Sequence, residues 1–172
     1  MTRWWPFAVT VAIALLDRAS KHLIETRMSA WDVHRVIPGL FQIVHTRNDG
    51  IAFGLFSETG SNKLLIAFSV IVLALVGWML WTACRTPSLE HWTMRAALGL
   101  VLGGAAGNLY DRVVFGSVTD FLDFYAGRSH FPIFNVADSA ISVGAALLLI
   151  NLWWVRRQCE PGSETPRSSE SR

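Results

Sequence analysis

Residues 103–138 read GGAAGNLYDRVVFGSVTDFLDFYAGRSHFPIFNVAD, and this stretch organises the interpretation of the whole chain. It lies between two runs that otherwise resemble membrane-spanning helices, and it contains four carboxylates, those of Asp111, Asp120, Asp123 and Asp138. A charged side chain inside a bilayer or at its rim is costly, so it is usually retained for function. The stretch is therefore the candidate functional site, and the rest of the chain is interpreted as its scaffold.

Composition places the chain among integral membrane proteins. The 172 residues are 52% hydrophobic and include 8 Trp, with a mean hydropathy of +0.36, which is too apolar for an ordinary soluble domain. The net charge is only +2 and no basic run is interleaved with aromatic residues, so we expect no nucleic-acid partner. Cys84 and Cys159 lack metal-ligand spacing, and we expect neither a metal nor another cofactor.

Four apolar segments predict four transmembrane helices, at about residues 4–24, 64–84, 96–112 and 132–155. The first segment lacks a small-x-small cleavage site, so we interpret it as a retained helix and not as a signal peptide. The second is uncharged and long enough to cross about 30 Å of hydrocarbon. Pro132 suits the first turn of the fourth helix. The polar, Pro/Ser-rich residues 158–172 predict a disordered tail.

Two spacings predict how the helices pack. Gly99, Gly103 and Gly107 recur every four residues and form a stripe along the third helix, where another helix can approach closely. Asp17 and Lys21 are also four residues apart, so they share a face of the first helix and can form an ion pair. We interpret this pair as structural, because such a pair fixes the end of the helix.

The segments outside the membrane should meet at one end of the bundle. With four helices, the loops 25–62 and 111–131 share a face, although the even distribution of Lys and Arg does not settle which face. Residues 40–47 (LFQIVHTR) predict a strand that ends at an Asn-Asp-Gly turn, with residues 51–56 as its possible return. Residues 118–125 (VTDFLDFY) predict a short amphipathic loop or helix. The predicted fold class is therefore an all-α membrane protein with a small β element.

Asp120 and Asp138 are the candidate catalytic pair. If the 111–131 loop folds over the helix ends, the two carboxyl groups can meet in a poorly hydrated place, where both cannot ionise cheaply. They would then share one proton, and one could act as general base on a water while the other acts as general acid. The chain contains no Gly-x-Ser-x-Gly and no His-Glu-x-x-His motif that would favour another hydrolytic mechanism.

Four other polar residues have simpler interpretations. Asp111 and Arg112 are adjacent, which favours an ion pair at the end of the third helix. Asp123 would share a face with Asp120 on a helix, but we interpret it as a solvated residue at the rim. Asn48 is explained first by turn formation, with a role in the site as the less favoured alternative.

Four ordered motifs resemble the lipoprotein signal peptidase family, also called signal peptidase II, a family of bacterial aspartic endopeptidases. They are DRASK (17–21), NDGIAFG (48–54), GNLYDRVVFGSVTDFLDFY (107–125) and FPIFNVADSAISVG (131–144). The resemblance spans nearly the whole chain except the tail. Arg18 and Ala19 depart from the family's more usual Gln-Leu pair, but neither departure touches the acids.

The resemblance implies an activity and a place for each polar residue. A peptidase domain over residues 1–157 would cleave diacylglyceryl-modified prolipoproteins on the amino side of the lipidated cysteine. The catalytic aspartates would be Asp120 and Asp138. Residues that line or support the site would be Asn48, Asn108, Arg112 and Asn135. Structural positions would be Asp17, Lys21 and Asp111.

The resemblance also implies a location. The enzyme would be a multi-pass protein of the bacterial inner membrane, in contact with its lipid, with both termini cytoplasmic and the catalytic end at the outer face. We expect a monomer. Two other classes are weighed against this interpretation: a small proton-coupled transporter that uses the same acids, and an assembly subunit held together by the glycine stripe. Metal-dependent hydrolysis is a weaker alternative, because the acids lack nearby His partners.

Overall fold

The computed structural model describes residues 3–30, 32–50, 61–85 and 92–159. Within these ranges the fold is mostly helical, with a small antiparallel sheet. The helices are α1 (Trp5–Arg27), α2 (Ser61–Arg85), α3 (Trp92–Val114) and α4 (Val136–Cys159). The strands are β1 (Val33–Ile37), β2 (Phe41–Asn48), β3 (Val118–Ala126) and β4 (Ser129–His130).

The sheet joins the two loops that the sequence placed at one end of the bundle. Its strand order is β1-β2-β3-β4, and β2 pairs antiparallel with both β1 and β3. The predicted strand at 40–47 is confirmed as β2. Its predicted return at 51–56 lies outside the described residues, and the neighbours of β2 are β1 and β3. Pairing of β2 with β3 brings Asn48, at the end of β2, opposite Val118.

The prediction of an amphipathic loop or helix at 118–125 is wrong, because this segment forms β3. Its β-branched and aromatic residues suit a strand, and it lies between two turn glycines with positive φ, Gly116 (78°) and Gly127 (61°). On a strand, side chains three residues apart point to opposite faces. Asp120 and Asp123 therefore do not share a face, contrary to the helical interpretation.

The start of α4 also differs from the prediction. The helix begins at Val136 and not at Pro132, because Phe134 is still bonded to β3: its N–H donates to the Leu122 carbonyl oxygen over 3.1 Å. Asp138 consequently lies in the first turn of α4, whereas a helix that began at Pro132, as predicted, would place it in the second turn. The helix continues to Cys159, four residues past its predicted end, and the tail beyond it lies outside the described residues.

The predicted glycine stripe is confirmed as the contact between α1 and α3. A Cβ added to Gly99 or Gly103 would lie 2.8 Å from the Pro6 carbonyl oxygen or 2.7 Å from that of Thr10, respectively. A Cβ on Gly107 would lie 2.5 Å from a carboxylate oxygen of Asp17. Only glycine allows these two helices to approach so closely, and this approach brings the polar residues of α1 beside those of α3.

Among the described residues, two segments are long and apolar enough to cross a membrane: Asn62–Arg85 in α2 and Val136–Trp154 in α4. The other two predicted spans coincide in position with α1 and α3, which do not meet that criterion. Large apolar side chains on α2 are exposed, including those of Phe68, Ile71 and Leu75. Exposed apolar side chains of this kind are consistent with a lipid environment.

Candidate active site

Asp120 is held by amide groups from two other parts of the fold. It lies on β3, and its side chain is buried, with a relative exposure of 3%. Asn48 Nδ2, at the end of β2, donates to Asp120 Oδ2 over 3.0 Å, and Asn135 Nδ2 donates to Asp120 Oδ1 over 2.7 Å. Asn48 Oδ1 also accepts the Gly50 N–H at 3.0 Å. Asn48 therefore makes both kinds of contact that were considered for it: a hydrogen bond within the turn and a hydrogen bond to Asp120.

Asp138 is placed by the N-terminus of α4. Asn135 and Asp138 exchange hydrogen bonds: the Asp138 N–H donates to Asn135 Oδ1 over 3.0 Å, and the Asn135 N–H donates to Asp138 Oδ2 over 3.3 Å. This reciprocal pattern satisfies two backbone donors at the start of the helix. Asn108 Nδ2, on α3, donates to Asp138 Oδ1 over 2.8 Å. Asn135 therefore bonds to both aspartates and fixes them relative to each other.

A buried charge cluster lies beside this pair. Lys21 Nζ lies 2.6 Å from Asp17 Oδ2, as the spacing predicted, and 2.8 Å from Asp111 Oδ2. The three side chains are at most 1% exposed. Lys21 Nζ also donates to Asn108 Oδ1 over 3.0 Å, so Asn108 links the cluster to Asp138. The three residues expected to be structural thus form one buried cluster, in which the Lys21 ammonium group lies between the two carboxylates.

The adjacent Asp111 and Arg112 do not form the ion pair that we predicted. Consecutive helical residues point in different directions, and Asp111 instead pairs with Lys21 and, through Oδ1, with Arg18 Nη1 at 3.3 Å. Arg112 Nη1 donates to the Asn108 carbonyl oxygen over 3.3 Å. The Arg112 side chain lines a cavity of about 630 Å³ together with both aspartates.

The cavity is the space in which the two acids can act. The polar residues that line it include five of the six candidates for catalysis or site support: Asn48, Asn108, Arg112, Asp120 and Asp138. Most of the remaining wall is apolar, and one side is made by the four consecutive residues 131–134. Largely apolar clefts with a few convergent polar groups are typical of binding and catalytic sites.

The environment of Asp120 favours its protonated form. The pKa of Asp120 rises from an ordinary 3.8 to about 6, chiefly because burial disfavours the charged carboxylate and secondly because the negative charge of Asp138 is close. The hydrogen bonds from Asn48 and Asn135 and the charge of Lys21 oppose this rise. A carboxyl group with such a pKa can take up or release a proton near neutral pH, as general acid–base catalysis requires.

The raised pKa of Asp120 predicts how stability depends on pH. Between pH 3.8 and about 6 the folded protein holds a proton that the unfolded chain releases, so the free energy of unfolding falls as the pH rises. Above that range the loss in the free energy of unfolding, caused by ionisation of the buried Asp120, levels off at about 3 kcal/mol. The neutral Asp120→Asn variant escapes this cost, so its Tm in detergent, relative to wild type, should rise from pH 4 to pH 7. Parallel pH profiles of Tm would contradict the raised pKa.

The sequence interpretation missed Glu25 and Thr119, two polar residues near the site. Glu25 Oε1 accepts the Thr119 hydroxyl hydrogen bond at 2.8 Å, and Glu25 pairs with Arg18. This contact connects the end of α1 to the residue before Asp120. The sequence contained only part of the information needed to predict this contact. Arg18 and Glu25 are seven residues apart and share one face of α1, but nothing in the sequence placed Thr119 beside them.

Asp123 is not the solvated rim residue that we predicted. It is 2% exposed, and its carboxylate accepts hydrogen bonds from Gln42 Nε2 at 2.7 Å and from His130 Nδ1 at 2.9 Å. Gln42 lies directly opposite Asp123 on β2, which explains the burial. The described residues contain no group of three or more His, Cys, Asp or Glu side chains placed to hold a metal ion.

With this geometry established, comparison with known proteins identifies the family. The model of the family described as "Signal peptidase (SPase) II" matches residues 9–154. The chain belongs to the signal peptidase II family. It is a peptidase of the aspartic class, as the resemblance of the four motifs implied. Membership of this family does not favour the proton-coupled transporter.

Named relatives of the signal peptidase II family match over almost their full length. The lipoprotein signal peptidase of Solibacter usitatus is 45% identical over 159 residues, which cover 91% of this chain and 94% of that protein. The lipoprotein signal peptidase of Mesorhizobium japonicum is 40% identical over 169 residues, with coverages of 96% and 95%. The match therefore extends across all the elements that form the candidate site.

Two solved structures share the fold of this signal peptidase II chain. A bacterial membrane enzyme determined by the in meso method at 2.3 Å resolution has a TM-score of 0.79 and 30% identity, with 93% of each chain covered. A second bacterial membrane enzyme, determined at 1.9 Å, has a TM-score of 0.73 and 31% identity, covering 86% of this chain and 91% of the other. The helical bundle with its small sheet is thus the fold of a membrane enzyme.

Proposed function

We propose that this peptidase removes the signal peptide from diacylglyceryl-modified prolipoproteins, by hydrolysis on the amino side of the lipidated cysteine. The observation that carries the proposal is the position of Asp120 and Asp138 in one cavity, where Asn135 bonds to both. Relatives at 40–45% identity are named lipoprotein signal peptidases, which supports the substrate class.

The proposed chemistry uses the two carboxyl groups and one water. One carboxylate removes a proton from the water as its oxygen attacks the scissile carbonyl carbon, and the other carboxyl group protonates the carbonyl oxygen. The tetrahedral intermediate then collapses: the second carboxylate takes back the proton from the hydroxyl group, the C–N bond breaks, and the first carboxyl group gives the proton that it took from water to the leaving amine, which restores the pair. The raised pKa of Asp120, about 6, supports this scheme because it brings proton uptake and release by the pair close to neutral pH.

The surrounding polar residues have supporting roles in this proposal. The three asparagines at 48, 108 and 135 hold the carboxyl groups through the hydrogen bonds described above. Arg112 lines the cavity near both acids, where its positive charge favours negative charge on the substrate carbonyl oxygen during the reaction. Asp17, Lys21 and Asp111 act structurally, by fixing α1 and α3 beneath the site.

We also propose that all four helices cross the bacterial inner membrane, with both termini cytoplasmic and the site at the outer face. The helices α1 and α3 each have 23 residues, which corresponds to about 35 Å and suffices for a span. The charged side chains that lower the hydropathy of these helices include Asp17, Lys21 and Asp111, which are buried inside the bundle. Buried, mutually paired charges are tolerated within a membrane.

The test of the proposed substrate is the effect of its lipid. Two acyl chains keep the substrate in the bilayer and position it, so a lipidated prolipoprotein peptide should show at least about 100-fold higher kcat/KM than an unmodified one. The matched control is the same peptide with its cysteine blocked by a methyl group, and the readout is the cleavage product in detergent micelles. Equal cleavage of the three peptides would reject lipid recognition, and no cleavage of any would reject the proposed function.

A further inference from the structure

A second polar cluster, built around one buried carboxylate, lies on the other face of the sheet from Asp120. Its members are Asp123 on β3, Gln42 on β2 and His130 on β4. Asp123 Oδ2 accepts from both partners, and His130 Nδ1 also lies 3.0 Å from Asp123 Oδ1. Because both oxygens near His130 Nδ1 are acceptors, Nδ1 carries the hydrogen. The cluster is outside the cavity, and the proposed chemistry does not use it.

The register of the sheet explains how His130 reaches this carboxylate. Tyr125 lies directly opposite His130, and Asp123 is two residues before Tyr125, so all three side chains belong to one face. The Tyr125 ring stacks on the imidazole with centroids 5.4 Å apart, and its hydroxyl accepts the Gly39 N–H at 2.9 Å. The imidazole is half-exposed, yet it is held by a buried carboxylate and by an aromatic ring.

His130 immediately precedes the apolar wall of the cavity. Residues 131–134 all line that wall, and Phe131 contacts Phe134 edge-to-face with centroids 5.9 Å apart. The backbone of β3 holds both ends of this segment: the Phe131 N–H donates to the Phe124 carbonyl oxygen over 2.8 Å, and Phe134 pairs with Leu122. The His130–Asp123 bond adds a side-chain anchor at the Phe131 end.

The two ends of the wall are anchored independently. At the far end, Asn135 is fixed by its bonds to Asp120 and Asp138 as well as by the Phe134–Leu122 bridge. Loss of the His130 anchor would therefore leave Phe131 held only by its backbone bond to Phe124 and by its contact with Phe134, while Asn135, and with it the aspartate pair, keeps its position. Substrate binding against the wall would change, whereas the chemical step would not.

We propose that His130 and Asp123 are positioning residues for substrate binding: their bond fixes the Phe131 end of the cavity wall against which the substrate chain packs. This role rests on the proposed peptidase function, because the wall has a use only if a substrate occupies the cavity. It predicts a change in KM with little change in kcat. A merely structural role predicts lower stability, with both kinetic constants of the folded protein unchanged.

The kinetic test compares variants at position 130 on the lipidated peptide. His130→Ala should raise KM about tenfold, the size expected for loss of one hydrogen bond to a charged group, with kcat within about twofold of wild type. His130→Asn places an amide N–H close to the position of Nδ1 and should restore most of the KM. His34→Ala, at an exposed histidine on β1, is the matched control and should change neither constant. A fall in kcat at unchanged KM, or no rescue by asparagine, would overturn the proposal.

A second variant covers the case in which His130→Ala fails to fold. Phe131 is 62% exposed, so Phe131→Ala should fold, and it should raise KM on its own because it removes the wall that the anchor positions. Where both variants fold, the double variant should be no worse than the stronger single one, since both act through the same wall. Unchanged KM for Phe131→Ala, or additive effects, would contradict the proposal.

Amide hydrogen exchange separates this inference from the proposed function, because it needs no substrate. In His130→Ala, the Phe131 amide should exchange at least about tenfold faster than in wild type, while the Phe134 amide keeps its protection. NMR in detergent resolves the two positions. Unchanged exchange at Phe131 would reject the positioning role even if the peptide is cleaved. Absence of cleavage by wild type would instead reject the proposed function.

Discussion

Replacing either Asp120 or Asp138 with asparagine should lower kcat for the lipidated peptide about 10,000-fold, the effect typical of removing a residue that takes part directly in catalysis. Asparagine keeps the size of the side chain but cannot exchange a proton near neutral pH. The hydrogen bonds to Asn48, Asn108 and Asn135 leave each variant with polar partners, so the proteins should remain folded.

The matched control for these variants is Asp32→Asn. Asp32 is exposed, and its carboxylate accepts the Ser29 N–H at 2.6 Å. It is not one of the residues that line the cavity. This variant should keep wild-type kcat, and a chelator should leave the wild-type rate unchanged. Near-normal cleavage by Asp120→Asn or Asp138→Asn would reject the aspartate pair, and loss of activity with the chelator would favour metal-dependent hydrolysis.

Replacing Lys21 with methionine should destabilise the folded protein by about 3–5 kcal/mol, because it leaves two buried carboxylates without their shared cation. Lys21 is fully buried between Asp17 and Asp111, and methionine has a similar volume. The measurement is thermal unfolding in detergent, where we expect a fall in Tm of roughly 10 °C.

Two further variants show whether charge is the cause. Lys63→Met removes an exposed lysine near the start of α2 and should leave Tm unchanged within about 1 °C. Adding Asp17→Asn to Lys21→Met neutralises the carboxylate that has lost its cation, since Asp111 still pairs with Arg18, and should recover part of the lost stability. A double variant as unstable as the sum of the single changes would show that shape, and not charge, holds this cluster together.

The sequence predicted the helices better than the path of the chain between them. Periodic apolar runs and the glycine spacing are local patterns, and α1, α2 and α3 cover the predicted segments to within one residue. Residues 118–125 were misassigned because an eight-residue amphipathic segment is compatible with several structures on its own. Pairing with β2, about 75 positions earlier, selects the strand.

The surroundings of single polar residues were the hardest to predict. Asp123 is buried because Gln42 lies opposite it across the sheet and because the β3–β4 hairpin returns His130 to the same face. Asp111 pairs with Lys21 because the glycine stripe lets α1 approach α3. Each pairing depends on contacts distant in sequence, which local patterns do not contain.

The sequence by itself determined the family, the helical framework and the identity of the polar residues, because these depend on ordered motifs and on local periodicity. The tertiary structure alone decided that residues 118–126 form a strand, that Asn135 bonds to both aspartates, and that Asp120 lies buried with a pKa near 6. The burial of Asp120 and its hydrogen bonds to Asn48 and Asn135 arise only when distant segments pack, and they set the free energy of the charged group.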